Sequence, residues 1–264
     1  MKTADLIIFS GQSNMQGQTE VLKDPRTVPG AYEYKYLSDS LVPLSDPFGE
    51  DITYDGKEGE CYRDELGAAW HPRHVFGSSA YGHSTLVPSF CRTYVRLTGR
   101  EVVAVSAAKG STVLADWLPG TPAYEFLCLK AQKAKELAGR SYDAGRVYTV
   151  FLQGESDAIY STDEKAYSDG LISLARALRR DIGLDRFGLI RVGRFTNDPR
   201  DDVIINAQEN VCREDPAFLM LSRLASEMCS VPEYMNPFVG GHFSALGLEV
   251  LGGDAAKTLA LARP

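Results

Sequence analysis

The chain has 264 residues, with 28 Lys+Arg against 35 Asp+Glu and a formal net charge of −7. An acidic balance without a basic cluster argues against a nucleic-acid partner, because phosphate neutralisation needs grouped lysines and arginines. Hydrophobic residues make up 44% and charged residues 24%, as in globular domains. No apolar run approaches the ~18 residues that cross a bilayer, so no membrane partner is expected.

Short apolar runs alternate with segments of helical period. The run at 6–9 predicts a first buried strand, and the opening residues 1–15 are too weakly apolar for a signal-peptide core. The stretch 19–81 carries Pro25, Pro29, Pro43, Pro47 and Pro72 with little periodicity. It is expected to be a long loop excursion over the sheet edge of a single domain, 1–264. A helix is expected over 89–97, a Val-rich strand over 101–107 and a helix over 124–137 with a broad apolar stripe. Strands follow at 146–152, 187–192 and 217–221, and helices at 163–182, 203–212 and 245–261. Strands separated by helices of this length imply βαβ units, hence an α/β fold with a mostly parallel sheet covered on both faces. The five cysteines, Cys61, Cys91, Cys128, Cys212 and Cys229, are odd in number and lack CxxC spacing. They read as small buried hydrophobes and point to a reducing cytoplasm, with a trimmed secreted form left open.

In an open α/β sheet the ligand crevice lies at the carboxyl ends of the strands. Three strands run into polar loops there: Ser10-Gly11-Gln12-Ser13-Asn14-Met15, Ala108-Lys109-Gly110-Ser111-Thr112 and Gln153-Gly154-Glu155-Ser156-Asp157. A fourth polar segment, Gly240-Gly241-His242-Phe243-Ser244, precedes the last helix. Ser13 is the candidate nucleophile. Serine needs an imidazole to take its proton, and the imidazole needs an acceptor that fixes its tautomer. Among four histidines, His242 is the candidate base. Glu155 is a candidate acid and Asp157 competes with it. Each also has a plainer reading: Ser13 and Asn14 as helix caps, and the carboxylates as first-turn helix residues helped by the macrodipole. The N–H groups of Ser13 and Gly110 could form an oxyanion hole, with a side-chain amide from Gln153 or Asn14. His71 and His74 are spaced as a ligand pair, but Pro72 interrupts the helix such a pair would use, so no metal or other cofactor is expected. Trp70 and Tyr81 would suit sugar stacking or simple loop packing.

The blocks GQSNM, AAKGST and LQGESD, with the closing HFSALGLEVLG, resemble the SGNH hydrolase superfamily. The nearest branch is the sialate O-acetylesterase-like group, including the acetylxylan esterases of carbohydrate esterase family six. The likeness runs from Leu6 to about Gly252. It implies a three-layer α/β/α sandwich with a flavodoxin-like parallel sheet. It also implies removal of O-acetyl groups from sugars of the xylan or sialic-acid type, as small molecules or polysaccharides. By motif, Ser13 resembles the nucleophile, Gly110 the second oxyanion residue, His242 the base and Gln153 the polar residue near the oxyanion hole. Gln12, Asn14 and Trp117 are lesser candidates for substrate contact. Most members carry an Asp three residues before the histidine; here that position is Val239. In the carbohydrate-esterase branch the Glu of the third block can serve instead, which favours Glu155. The rival readings are a lipase or thioesterase on another short acyl ester, a catalytically dead sugar-binding homologue, and a His71/His74 metal hydrolase.

Overall fold

In a computed structural model of the chain, residues 2–19, 26–50 and 84–262 are described. Seven strands form one sheet in the order β3-β2-β4-β1-β5-β6-β7. They are β1 (Thr3–Gly11), β2 (Ala31–Lys35), β3 (Ser40–Pro43), β4 (Glu101–Ala108), β5 (Asp143–Leu152), β6 (Arg186–Ile190) and β7 (Phe218–Ser222). All pairings are parallel except the β2–β3 hairpin at one edge.

β1 is central, paired with β4 on one side and β5 on the other. Its alternation sorts the two cores. Leu6 and Ile8 face a layer made by α3 (Pro122–Ala138), α5 (Glu164–Ile182) and α6 (Pro199–Glu214). Ile7 and Phe9 face a layer made by α2 (Val87–Thr98) and α8 (Ala245–Leu261). Both faces being covered explains why these strands read as continuous apolar runs. Local signals set the helix ends. Thr121 caps α3 ahead of Pro122, Asp163 caps α5 through the Ala166 N–H, and Ser244 caps α8 through the Gly247 N–H.

Three short helices complete the set that matters below: α1 (Ser13–Gln16), α4 (Glu155–Ile159) and α7 (Leu224–Met228). At the opposite end of the sheet, the buried Asp5 carboxylate accepts two bonds of 2.6 Å from the Arg100 guanidinium and one of 2.7 Å from the Tyr94 hydroxyl. That cluster pins the start of β1 far from the ligand crevice.

The expected strands and helices are all present, with bounds shifted by a few residues. The 19–81 excursion is corrected in part: residues 31–43 are not loop but the edge hairpin β2–β3. Tyr34 in the hairpin and Leu44 just after it are fully buried. The candidates Cys61, Trp70, His71, His74 and Tyr81 lie outside the described residues.

Candidate active site

β1 ends in a turn that only glycine accommodates. Gly11 has φ +135°, and a Cβ there would lie 2.0 Å from the Leu152 carbonyl oxygen. The chain bends directly into α1, and Ser13 is its first residue. The Lys109 N–H donates to the Gly11 carbonyl at 2.9 Å, which brings the loop after β4 alongside. The Gln12 side-chain oxygen accepts from the N–H groups of Gly154 (3.3 Å) and Ser156 (3.2 Å), tying in the end of β5. The three polar loops therefore meet on one rim.

His242 reaches this rim from the segment before α8. Its Nε2 lies 2.8 Å from Ser13 Oγ, and its Nδ1 lies 2.9 Å from the Gly240 carbonyl oxygen. A carbonyl can only accept, so Nδ1 carries the hydrogen and Nε2 turns its lone pair to the serine hydroxyl. Burial lowers the pKa of His242 below the ordinary imidazole value, opposed by the Gly240 hydrogen bond. The ring is thus neutral at neutral pH, the form a general base needs.

Backbone and side chains hold the imidazole loop. The Asn236 N–H donates to the His242 carbonyl at 2.8 Å, and Asn236 Nδ2 donates to the Gln18 carbonyl at 2.8 Å. Asn14 Nδ2 donates to the Gly241 carbonyl at 3.2 Å, while its Oδ1 accepts from the Phe243 N–H at 3.1 Å. Gly241 has φ +73°, and a Cβ there would fall 2.0 Å from the Phe195 ring.

Several expected roles are corrected by the hydrogen bonding. Glu155 does not meet the imidazole: its Oε1 accepts from Asn14 Nδ2 at 2.8 Å. Among the described residues no carboxylate holds the His242 ring, and the Gly240 carbonyl stands where the acid was expected. The other Glu155 oxygen is buried without a partner among the described residues, and burial raises this carboxyl's pKa, opposed first by the Asn14 bond. Asp157 is a scaffold group, accepting from the Leu114 N–H (2.8 Å), Gln153 Nε2 (2.6 Å) and Thr162 Oγ1 (2.9 Å).

Gln153, expected near the oxyanion hole, spends its amide on protein partners. Its Nε2 is engaged by Asp157, by the Thr112 carbonyl at 3.0 Å and by Gln12 at 3.2 Å, and its Oε1 accepts from the Tyr167 hydroxyl at 2.9 Å. Gln12 and Asn14 likewise bind protein rather than face outward. Trp117 is buried, with Nε1 on Thr112 Oγ1 at 3.1 Å and its rings edge-on to Phe151. Gly110 does lie beside Ser13, since an added Cβ would be 3.6 Å from Ser13 Cβ. Its N–H donates to Gln16 Oε1 at 2.7 Å.

Sequence reading missed Gln16, Asn236 and the Gly240 carbonyl. The first sits in the GQSNMQ run and was within reach. The last leaves no side-chain signature.

A groove of about 900 Å³ lies between the loop after β4 and the α4–α5 junction, with Lys109, Gly110, Leu118, Tyr160 and Thr162 in its lining and Ser13 and His242 outside it. Its walls are mainly apolar, and Tyr160 stands 68% exposed on its rim. Among the described residues no cluster of three or more His, Cys, Asp or Glu side chains could hold a metal ion.

A parallel sheet between two helical layers, with Ser and His meeting at the carboxyl end of its central strand, is the build of an SGNH-type hydrolase. Residues 3–225 match the family described as carbohydrate esterase, sialic acid-specific acetylesterase. The chain belongs to that family and is a carbohydrate O-acetylesterase. A probable carbohydrate esterase of Arabidopsis thaliana is 22% identical over 209 residues, 77% of this chain and 74% of that protein. An Arabidopsis thaliana protein structure superposes with TM-score 0.66 at 18% identity, over 96% of each chain. A carbohydrate acetylesterase of Xanthomonas citri gives 0.54 at 15% identity, over 98% of this chain and 56% of that one. A catalytic mutant of an acetylxylan esterase of Geobacillus stearothermophilus gives 0.50 at 10% identity, over 100% and 97%. At these identities the structures speak for the fold.

Proposed function

We propose that this chain is a serine esterase that removes O-acetyl groups from a carbohydrate of the xylan or sialic-acid type, through an acyl-enzyme on Ser13. The carrying observation is the 2.8 Å contact of His242 Nε2 with Ser13 Oγ, on a ring whose Nδ1–H is fixed by the Gly240 carbonyl. Nε2 takes the hydroxyl proton as Oγ attacks the acetyl carbonyl. The Ser13 and Gly110 N–H groups face the developing oxyanion, and the substrate oxygen replaces Gln16 Oε1 on Gly110. As the acyl–oxygen bond breaks, the imidazolium gives its proton to the departing sugar oxygen and leaves the acetyl group on Ser13 Oγ; water then repeats the sequence to release acetate. Fixing the tautomer is one of the two tasks of a triad acid, and a carbonyl performs it. The other task, offsetting the imidazolium charge, falls here to a dipole instead of a full charge.

The test is acetate release from acetylated xylan and from O-acetylated sialic acid, with 4-nitrophenyl acetate as a general probe. Ser13→Ala should lose at least about 10³-fold in kcat, and a fluorophosphonate should label wild type but not this variant. An active Ser13→Ala protein refutes the nucleophile. Absence of labelling in wild type points instead to a sugar-binding homologue. The apolar walls of the groove favour one second reading, an ester with a longer acyl chain. A sharp fall in kcat/KM from acetate to butyrate esters supports the acetylesterase; a rise supports the alternative.

A further inference from the structure

The triad position left to Val239 raises the question of what the buried Glu155 does. We infer that Glu155 is a positioning residue that acts on His242 through Asn14, and not the acid of the catalytic relay. This rests on the reading of Ser13 and His242 as nucleophile and base.

The hydrogen-bonding capacity of Asn14 argues for it. The Phe243 N–H can only donate and the Gly241 carbonyl can only accept, so the amide has one permitted orientation, with Oδ1 toward Phe243 and Nδ2 toward Gly241. The remaining Nδ2 hydrogen then has one acceptor, Glu155 Oε1, at 2.8 Å. Asn14 grips the residues on both sides of His242, and Glu155 fixes the amide that does so. Asn14 adjoins Ser13, so this side chain joins the nucleophile's own turn to the base's loop. Glu155 comes from a third element, the start of α4 at the end of β5. All three groups are nearly fully buried, which makes an unpaired amide hydrogen costly and keeps the amide from rotating. Misplacing the imidazole by about 1 Å costs on the order of 10²-fold in rate.

The two roles make opposite demands on Glu155. A relay acid must be ionised against the imidazole, whereas a positioning partner only has to accept one hydrogen bond. Glu155→Gln keeps an acceptor oxygen and removes the charge. Glu155→Ala and Asn14→Ala remove the clamp.

The experiment measures kcat and KM with 4-nitrophenyl acetate, together with Tm, for wild type, Glu155→Gln, Glu155→Ala, Asn14→Ala and the double Ala variant. Expected are kcat within about threefold of wild type for Glu155→Gln, a fall of about 10- to 100-fold for Glu155→Ala and about 100-fold for Asn14→Ala, with KM little changed in each. The double variant should be no slower than Asn14→Ala alone, because the two act as one unit.

Glu155→Gln as slow as Glu155→Ala would overturn the inference, since charge would then be required. So would a wild-type rate for Glu155→Ala, or losses that multiply in the double variant. If an alanine variant fails to fold, Glu155→Gln alone still decides, because it either keeps its rate or loses it. Failure of the esterase reading would look different: wild type itself would neither hydrolyse the ester nor take the fluorophosphonate label.

Discussion

Gly241→Ala perturbs the imidazole without touching a reacting group. Two costs are visible. The residue sits at φ +73°, a left-handed conformation that charges an L-side chain about 1–2 kcal/mol. In addition the new methyl would lie 2.0 Å from Phe195 Cε2, where carbon atoms normally rest about 3.5–4.0 Å apart. Ring or backbone must therefore give way by about 1.5 Å. The backbone here carries the Gly241 carbonyl that Asn14 holds and adjoins the Gly240 carbonyl that fixes Nδ1. Its displacement draws Nε2 away from Ser13, and a shift near 1 Å should cost on the order of 10²-fold in kcat. Tm should fall by a few degrees, as about 1–2 kcal/mol does in a domain of this size. Phe195→Ala supplies the control. The ring stands 6.1 Å from the His242 ring, edge to face, and its loss alone should change kcat only a few-fold. Combined with Gly241→Ala it opens room for the methyl, so the double variant should recover most of the lost rate while keeping the backbone penalty in Tm. A Gly241→Ala enzyme within about threefold of wild type, or a double variant no faster than the single, would refute the claim that this glycine sets the imidazole's position.

Three further outcomes are expected. The acid limb of kcat/KM should fall below the ordinary imidazole value of 6.5, because burial disfavours the imidazolium. A pH–rate profile with its acid midpoint at or above that value would contradict this. The same shift makes the neutral ring's contribution to stability present above the unfolded value and lost as pH falls below it. Gly110→Ala should fold normally, since its Cβ would meet Gln16 Oε1 at 3.3 Å and Ser13 Cβ at 3.6 Å, close but not clashing. The methyl would intrude on the acyl approach and lower kcat/KM about tenfold or more, and an unchanged value would remove Gly110 from the oxyanion site. Trp117→Phe should cost about 1 kcal/mol for the lost Thr112 bond and leave KM for acetylated sugars within about twofold; a KM rising several-fold would restore Trp117 as a substrate contact.

The fold was legible where one physical signal dominated. β1, β4 and β5 are buried on both faces, so their apolar runs stand out. α5 carries an Asp163 cap, an apolar stripe and a Gly183 end. The β2–β3 edge was not legible, because its partner β4 covers only one side and prolines and acidic residues break the pattern. Within the site, Ser13 and His242 could be named because the GQSNM and HFSALGLEVLG blocks occur together in one chain; taken singly, a serine and a histidine at helix starts also read as a cap or a satisfied side chain. The amides could not be sorted. Gln12, Asn14 and Gln153 are equally polar in sequence, and what separates a substrate donor from a structural one is which acceptors the fold places beside it. Gln153 has three such acceptors, and they saturate it.

That the described residues set a carbonyl and not a carboxylate on the ring has the same origin. Every residue owns a carbonyl, so a carbonyl that replaces a carboxylate is silent in sequence. The readable sign is the Gly240-Gly241-His242 triplet. The left-handed turn at Gly241 folds the Gly240 carbonyl back onto the imidazole two residues on. A carboxylate at that point would raise the imidazole's pKa and offset the imidazolium charge; a carbonyl dipole fixes the tautomer with a far smaller electrostatic effect. The ring is then a weaker base that stays unprotonated further into acid. Its geometry must also come from other groups, because no carboxylate in the described residues anchors it. Asn14 through its side-chain amide and Asn236 through its backbone N–H meet that need with hydrogen bonds whose strength does not depend on pH. Tautomer control and positioning of the ring, which a triad acid combines in one side chain, fall here to separate groups, the Gly240 carbonyl and the two asparagines.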